Sequence, residues 1–168
     1  IMSSFIPNSY QTPNAYVDQY MHLLTDSEWK VMSYAMRRIF GFNKRQDTIS
    51  LSQFTDGTTD SEGNQLDYGT GLSHGTVAKC LKSLQQLRLI RLVAPNNPYL
   101  NQGACYELEL DDRKINHDEL ARRQQEWSDK NSARMARVRA CRLIQNNEPT
   151  PSITYDTPLC TIDPPPSI

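Results

Sequence analysis

Between residues 71 and 93 the chain reads GLSHGTVAKCLKSLQQLRLIRLV, and its polar residues are of the types that recognise nucleic acid. Ser73, His74 and Thr76 donate or accept hydrogen bonds, Gly75 permits close backbone approach, and Lys79 and Lys82 carry positive charge. A helix set into the major groove of DNA needs this combination near its N-terminus. Small residues let side chains reach base edges, and the unpaired N–H groups of the helix start attract phosphate. Lys79 and Lys82 would then engage phosphates or guanine edges. Any amphipathic surface helix also carries lysines on its wet side, so the weight of this reading rests on the elements around it.

Those elements form a consistent series. Ser73 caps a helix whose Val77, Cys80, Leu81, Leu84 and Leu87 fall on one side. Residues 88–93 alternate as a strand, APNNPYLNQG is a polar connector, and residues 105–110 alternate as the antiparallel partner. Upstream, TDSE at Thr25 to Glu28 is a capping box, followed by a helix with Trp29, Met32, Met36, Ile39 and Phe40 on its buried face and Gly41 as its stop. Residues 49–54, ISLSQF, predict a short strand entering a short helix capped by Ser50 or Ser52, with Leu51 and Phe54 buried. Residues 56–71 hold glycines without any period and predict a mobile loop; Asp56, Asp60 and Glu62 miss the ligand order of an EF-hand.

The order of helices before a hairpin predicts a mainly α fold with a small β-hairpin, a winged helix-turn-helix followed by a long basic helix. Four regions result: an N-terminal arm and short helix (1–24), a winged-helix domain (25–112), a basic helical extension (113–147) and a proline-rich tail or linker (148–168). In the arm, Pro7, Asn8, Pro13 and Asn14 break the chain before a short helix over 15–24, and Tyr10, Val17 and Tyr20 pack on the body. In the wing, Asn97, Asn101 and Gln102, with Asn96 and Tyr99, are placed to touch sugar-phosphate or a minor-groove edge, although an ordinary hairpin loop has the same composition. Arg88 and Arg91 at the wing's edge are candidate phosphate clamps or partners of a nearby carboxylate.

The long helix, predicted from Asn116 or Asp118 to about residue 145, sets Leu120, Trp127 and Val138 in one stripe with Met135 at its edge. Arg123, Lys130, Arg134 and Arg137 form the next stripe. Three roles stay open for it: phosphate contact, dimerisation through the Leu120 and Trp127 stripe, and solvated packing on the body; packing plus a partner surface is favoured.

Composition narrows the rest. The 168 residues are 38% hydrophobic with a formal net charge of −1, so nucleic-acid binding must rest on local patches. Cys80, Cys105, Cys141 and Cys160 form no CxxC pair, which points to reduced thiols and to no metal site. No apolar run approaches the roughly 18 residues of a membrane span and no leader is evident, which predicts a cytoplasmic protein. Dinucleotide, nucleotide-phosphate, zinc-protease and hydrolase motifs are lacking, and the pair Asp111 and Asp112 beside a turn suits solvent better than acid-base work; no catalysis and no cofactor are expected.

The stretch YQTPNAYVDQYMHLLTDSEWKVMSYAMRRIFGFNKRQDTISLSQF resembles the N-terminal domain of phage replication proteins of the lambda O type, and GLSHGTVAKCLKSLQQLRLI looks like that family's recognition unit. The likeness covers roughly residues 8 to 93, and the succession of motifs is more specific than a generic helix-turn-helix match. It implies a winged helix that binds repeated sites of a replication origin in double-stranded DNA, commonly as a homodimer, while a separate region recruits the helicase or helicase loader. On that likeness Ser73, His74, Thr76 and Lys79 are readers, and Lys44 and Arg45 in GFNKRQD contact the backbone. The segment 56–71 is longer than the turn of a usual helix-turn-helix, and the helicase-recruiting region is expected to be missing from this chain. A transcriptional regulator on the same fold and a protein-interaction module without DNA binding are the alternatives.

Overall fold

The computed structural model describes residues 9–100 and 102–147. It is mainly helical with a small antiparallel sheet. Its described residues divide into two units, one ending at Trp127 and the other beginning at Ser128.

In the first unit, helix α1 (Asp26–Ile39) begins at the capping box, with the Thr25 hydroxyl accepting from the Glu28 amide and the Glu28 carboxylate accepting from the Thr25 amide. Strand β1 (Gln46–Ile49) leads into helix α2 (Leu51–Asp56), where Ser50 and Gln53 form a second capping box. A two-stranded hairpin, β2 (Thr58–Thr59) and β3 (Gln65–Asp67), stands before helix α3 (His74–Gln86). Strands β4 (Ile90–Ala94) and β5 (Ala104–Leu108) follow, and helix α4 (His117–Asn147) closes the described chain. The main sheet has the order β1-β5-β4, antiparallel throughout, with Gln46 opposite Glu107 and Ile90 opposite Leu108.

The core fills the space between α1, α3 and the sheet. Val31, Met32, Ala35, Met36 and Ile39 of α1 meet Val77, Leu81 and Leu84 of α3, and Phe54 of α2 touches Tyr34 and stands edge-on to Tyr106 of β5. Each large side chain buried here contributes roughly 1.5–3 kcal/mol. The face of α1 differs from the sequence reading: Trp29 and Phe40 are only partly buried, while Val31 and Ala35 are fully enclosed, because α3 and the sheet cover α1 from two sides.

Three further expectations change. The arm is a π-helical turn (Tyr16–Tyr20) and a 3-10 turn (Met21–Leu23), and its buried anchors are Tyr16 and Tyr20 while Val17 is exposed. Tyr16 donates its hydroxyl proton to the Glu109 carbonyl, and Tyr20 donates to Asp112 at 2.6 Å. The arm therefore belongs to the body, as does Leu120 at the start of α4, so the body extends on both sides of the expected limits at 25 and 112.

Residues 56–71 form the β2–β3 hairpin rather than a mobile loop. The Asp67 carboxylate accepts from Thr58 Oγ1 at 2.5 Å, from Tyr34 at 3.0 Å and from the Gly69 amide at 3.0 Å. Gly69 takes a positive φ of 61°, and a Cβ there would lie 2.6 Å from the Gly57 nitrogen, so the hairpin's return needs glycine. Asp60 Oδ1 accepts from the amides of Glu62 and Asn64, and Oδ2 from the Asn64 side chain, at the hairpin turn.

Helix α1 passes into a 3-10 turn at Phe40–Phe42, and Asn43, not Gly41, supplies the left-handed residue, with φ 53°. Among the described residues no helix is long and apolar enough to cross a membrane, no group of three metal-ligating side chains converges, and Cys80, Cys105 and Cys141 are unpaired.

Candidate nucleic-acid interface

Helix α3 is fixed from behind. Val77, Cys80, Leu81 and Leu84 are buried, and past Leu87 the chain turns through Arg88 at φ 58°, with the Leu89 amide bonded to the Leu84 carbonyl and the Arg88 amide to the Gln85 carbonyl. This double closure holds the helix end against the sheet. The opposite face is left open: Ser73, His74, Gly75, Ala78, Lys79 and Lys82 are exposed and Thr76 is half-buried.

The start of α3 is ordered by its own residues. Ser73 Oγ accepts from the Thr76 amide at 3.3 Å and lies 2.9 Å from Thr76 Oγ1. The amides of His74 and Gly75, first-turn donors without intrahelical acceptors, face outward from an end that carries the positive pole of the helix dipole. No Asp or Glu occurs anywhere in α3, so nothing in the helix neutralises that pole. A Cβ built on Gly75 meets nothing within 4 Å, and its backbone is ordinary, so no internal contact of the protein calls for glycine there. Neither Lys79 nor Lys82 forms a salt bridge among the described residues. The face therefore offers hydroxyls, an imidazole, first-turn amides and two exposed lysines over about two helical turns.

A cleft of about 300 Å³ runs beside this face, with Ala78, Lys82 and Gln85 on the α3 wall, Leu51 at the start of α2, and Asn96 and Ala104 on the hairpin side. The β4–β5 connection is closed by reciprocal backbone bonds between Asn97 and Gln102 at 3.0 and 3.1 Å. At its tip Tyr99 is 96% exposed. Asn97 is half-buried and its side chain accepts from the Tyr99 amide at 3.1 Å, so it shapes the turn instead of projecting from it. Gln102 is exposed; Asn101 lies outside the described residues.

Several residues expected to join the interface are engaged elsewhere. Arg45, just before β1, and Arg91 of β4 both bind Glu107, Arg45 at 3.1 Å, and these two guanidiniums, Arg45 first, hold the Glu107 carboxyl below the usual range despite partial burial. Lys44 pairs with Asp47 at 2.8 Å and lies over the Phe42 ring. The cluster of Lys44, Arg45 and Arg91 lies at β1 and its paired strands, and among the described residues these side chains bond Asp47 and Glu107, not the start of α3.

Arg123 is the clearest correction. Its side chain is only 17% exposed, and its two terminal nitrogens bind Glu28 at 2.9 and 3.0 Å and Ser83 Oγ at 2.7 Å. Burial works to raise the Glu28 carboxyl, but Arg123, Ser83 and the Thr25 amide outweigh it and hold it below the usual carboxylate range. Arg123 is thus a strut joining α4 to α1 and α3, not a phosphate contact.

The apolar stripe of α4 is likewise divided. Leu120 is buried in the body's own core, and Trp127, 42% exposed, stands edge-on to His22 at 5.1 Å, so these two no longer form the free dimerisation stripe that helical spacing predicts. Lys130, Arg134 and Arg137 are exposed in the second unit. The proline-rich tail, 148–168, lies outside the described residues. Compared with known proteins, the chain matches no family model, no curated protein and no solved structure.

Proposed function

We propose that the chain is a winged-helix protein that binds double-stranded DNA sequence-specifically, laying the first two turns of α3 in the major groove. The order α1, β1, α2, α3, β4, β5 with the sheet β1-β5-β4 suits that assignment, with α2 and α3 as the helix pair and the β4–β5 connection as the wing. The β2–β3 hairpin stands where a compact turn would be, and it is anchored to α1 through the bond from Tyr34 to Asp67.

The observation that carries the proposal is the start of α3: a capped, acid-free helix end whose outward face holds small polar side chains, an imidazole and two lysines around a glycine with open space above it. Glycine within a helix costs roughly 0.5–1 kcal/mol relative to alanine, and here no contact inside the protein offsets that cost. Approach of a phosphate backbone to the Gly75 amide supplies the missing reason. Ser73, His74 and Thr76 are then base-edge or phosphate contacts, and Lys79 and Lys82 follow the backbone or a guanine edge. The role in initiating replication at a phage-type origin is drawn from the likeness to lambda O-type proteins.

Selection from a random duplex pool tests the reading. A recovered consensus, bound with a logarithmic affinity that falls with log salt and weakened by about 1–3 kcal/mol in Lys79→Ala, is the expected result. Recovery of no preferred sequence would refute it. Plasmids carrying the selected site then separate the roles, since an initiator drives their replication and a regulator alters only transcription beside the site.

A further inference from the structure

Helix α4 changes character along its length. Up to Trp127 its arginines are compensated: Arg122 pairs with Glu119 and Glu126, and Arg123 with Glu28 and Glu119. From residue 130 to 147 the helix carries Lys130, Arg134, Arg137, Arg139 and Arg142 and not a single Asp or Glu. The whole chain has a formal charge of −1, so everything outside these eighteen residues sums to −6. Positive charge is therefore concentrated in one stretch of an otherwise acidic protein.

This concentration works against the helix that bears it. Lys130 and Arg134 are four residues apart, and Arg134 and Arg137, like Arg139 and Arg142, are three apart; like charges at those spacings each cost about 0.2–0.5 kcal/mol. All five are exposed, and Arg134, Arg137, Arg139 and Arg142 form no salt bridge among the described residues. At 100° per residue the five cover more than half of the helix circumference. A dense polyanion relieves such repulsion.

We infer that residues 130–147 of α4 form a second, sequence-independent contact of this chain, to the phosphate backbone of double-stranded DNA. The inference goes beyond the α3 reading and rests on different residues. Four of the five cations are arginines, whose planar fork matches phosphate oxygens two at a time. Ala133, Ala136 and Ala140 leave room for close approach between them.

Residues 130–142 span roughly 18 Å, the axial rise of about five base pairs. A lipid surface fits less well, because a helix lying in a membrane interface needs one broad apolar face, whereas the helical period scatters Met135, Val138, Leu143 and Ile144 over more than half of the circumference. Since the first unit, residues 1–127, itself carries a formal −2, attraction to DNA at long range needs cations from elsewhere, and this segment holds them.

The test compares the full chain with a variant carrying Lys130→Gln, Arg134→Gln, Arg137→Gln, Arg139→Gln and Arg142→Gln. Fluorescence anisotropy with a random-sequence duplex across a salt series gives the slope of log affinity against log salt. Each lost phosphate contact flattens that slope by about 0.9, so three to five contacts predict a flattening of roughly 2.7–4.5. Helicity by circular dichroism stays at or above the original value, because the substitutions remove repulsion, and a variant with all four arginines changed to lysine keeps most of the slope.

An unchanged slope in the glutamine variant overturns the inference. So does tighter binding of the original chain, at equal salt, to phosphatidylserine vesicles or to polyglutamate than to the duplex. Failure of the α3 reading has a different signature: sequence preference is absent or untouched by Lys79→Ala, while the salt slope still depends on the five α4 cations.

Discussion

Gly75→Ala separates folding from binding at one atom. In the free protein the new methyl group enters open space, Gly75 has no positive φ to lose, and alanine is the better helix former. Position 75 lies in the first turn of α3, where propensity counts for less than in a helix interior, so the gain in stability is roughly 0.3–1 kcal/mol. Against DNA the same methyl stands between the backbone and whatever the Gly75 amide approaches. One extra methyl in a tight contact costs about 1–3 kcal/mol, a loss of about 5- to 150-fold in affinity.

The two effects have opposite signs, so a damaged fold cannot imitate the result. Urea denaturation followed by circular dichroism gives the first quantity, from a shift of midpoint at constant m. Anisotropy with the selected duplex gives the second. A variant that is stabilised and binds as tightly as the original would refute the close approach of DNA to α3, and one that loses stability would refute the open space read at Gly75.

Other substitutions probe the supports of that helix. Arg123→Met strands Glu28 among α1, α3 and α4; for a pair whose side chains are 17% and 6% exposed, the loss is about 2–4 kcal/mol, and Glu28→Gln together with Arg123→Met recovers part of it in a denaturation cycle. Because the Glu28 carboxyl is held low in the folded state, the pair's contribution is complete above the ordinary glutamate pKa near 4.3 and fades as pH falls below it, so the gap between original and Arg123→Met narrows in acid.

Asp67 obeys the same sign: burial pushes it up, but Thr58, the Gly69 amide and Tyr34 prevail and lower it, so Asp67→Asn costs about 1–2 kcal/mol at neutral pH. Acid denaturation shows that cost shrinking below roughly pH 4. Arg88→Gly relieves a left-handed residue at the end of α3 and raises stability by about 0.5–1 kcal/mol after the entropy of glycine is counted, read as a higher urea midpoint at constant m.

What could be read from the chain was local. The capping box at Thr25 and the cap at Ser73 join residues three apart, so their chemistry is complete within one turn, while the structure chose Ser50 over Ser52 for the cap of α2. The apolar stripe of α3 is a matter of period, and its open polar face follows from the same period. Charge segregation in α4 is likewise a property of composition.

Tertiary structure decided the rest, because those contacts join residues with no regular spacing. Asp67 turns an aperiodic, glycine-bearing stretch into an anchored hairpin only by meeting Tyr34, thirty-three residues earlier. Arg123 looks like its basic neighbours until folding brings Glu28, ninety-five residues away, against it. Arg45 and Arg91 are free cations in the sequence and joint partners of Glu107 once β1, β5 and β4 pair. Sequence alone supplied the helix that faces outward and the types of group it offers; which of the surrounding charges remain free to reach a ligand was set by burial and pairing, and these depend on where distant residues come to rest.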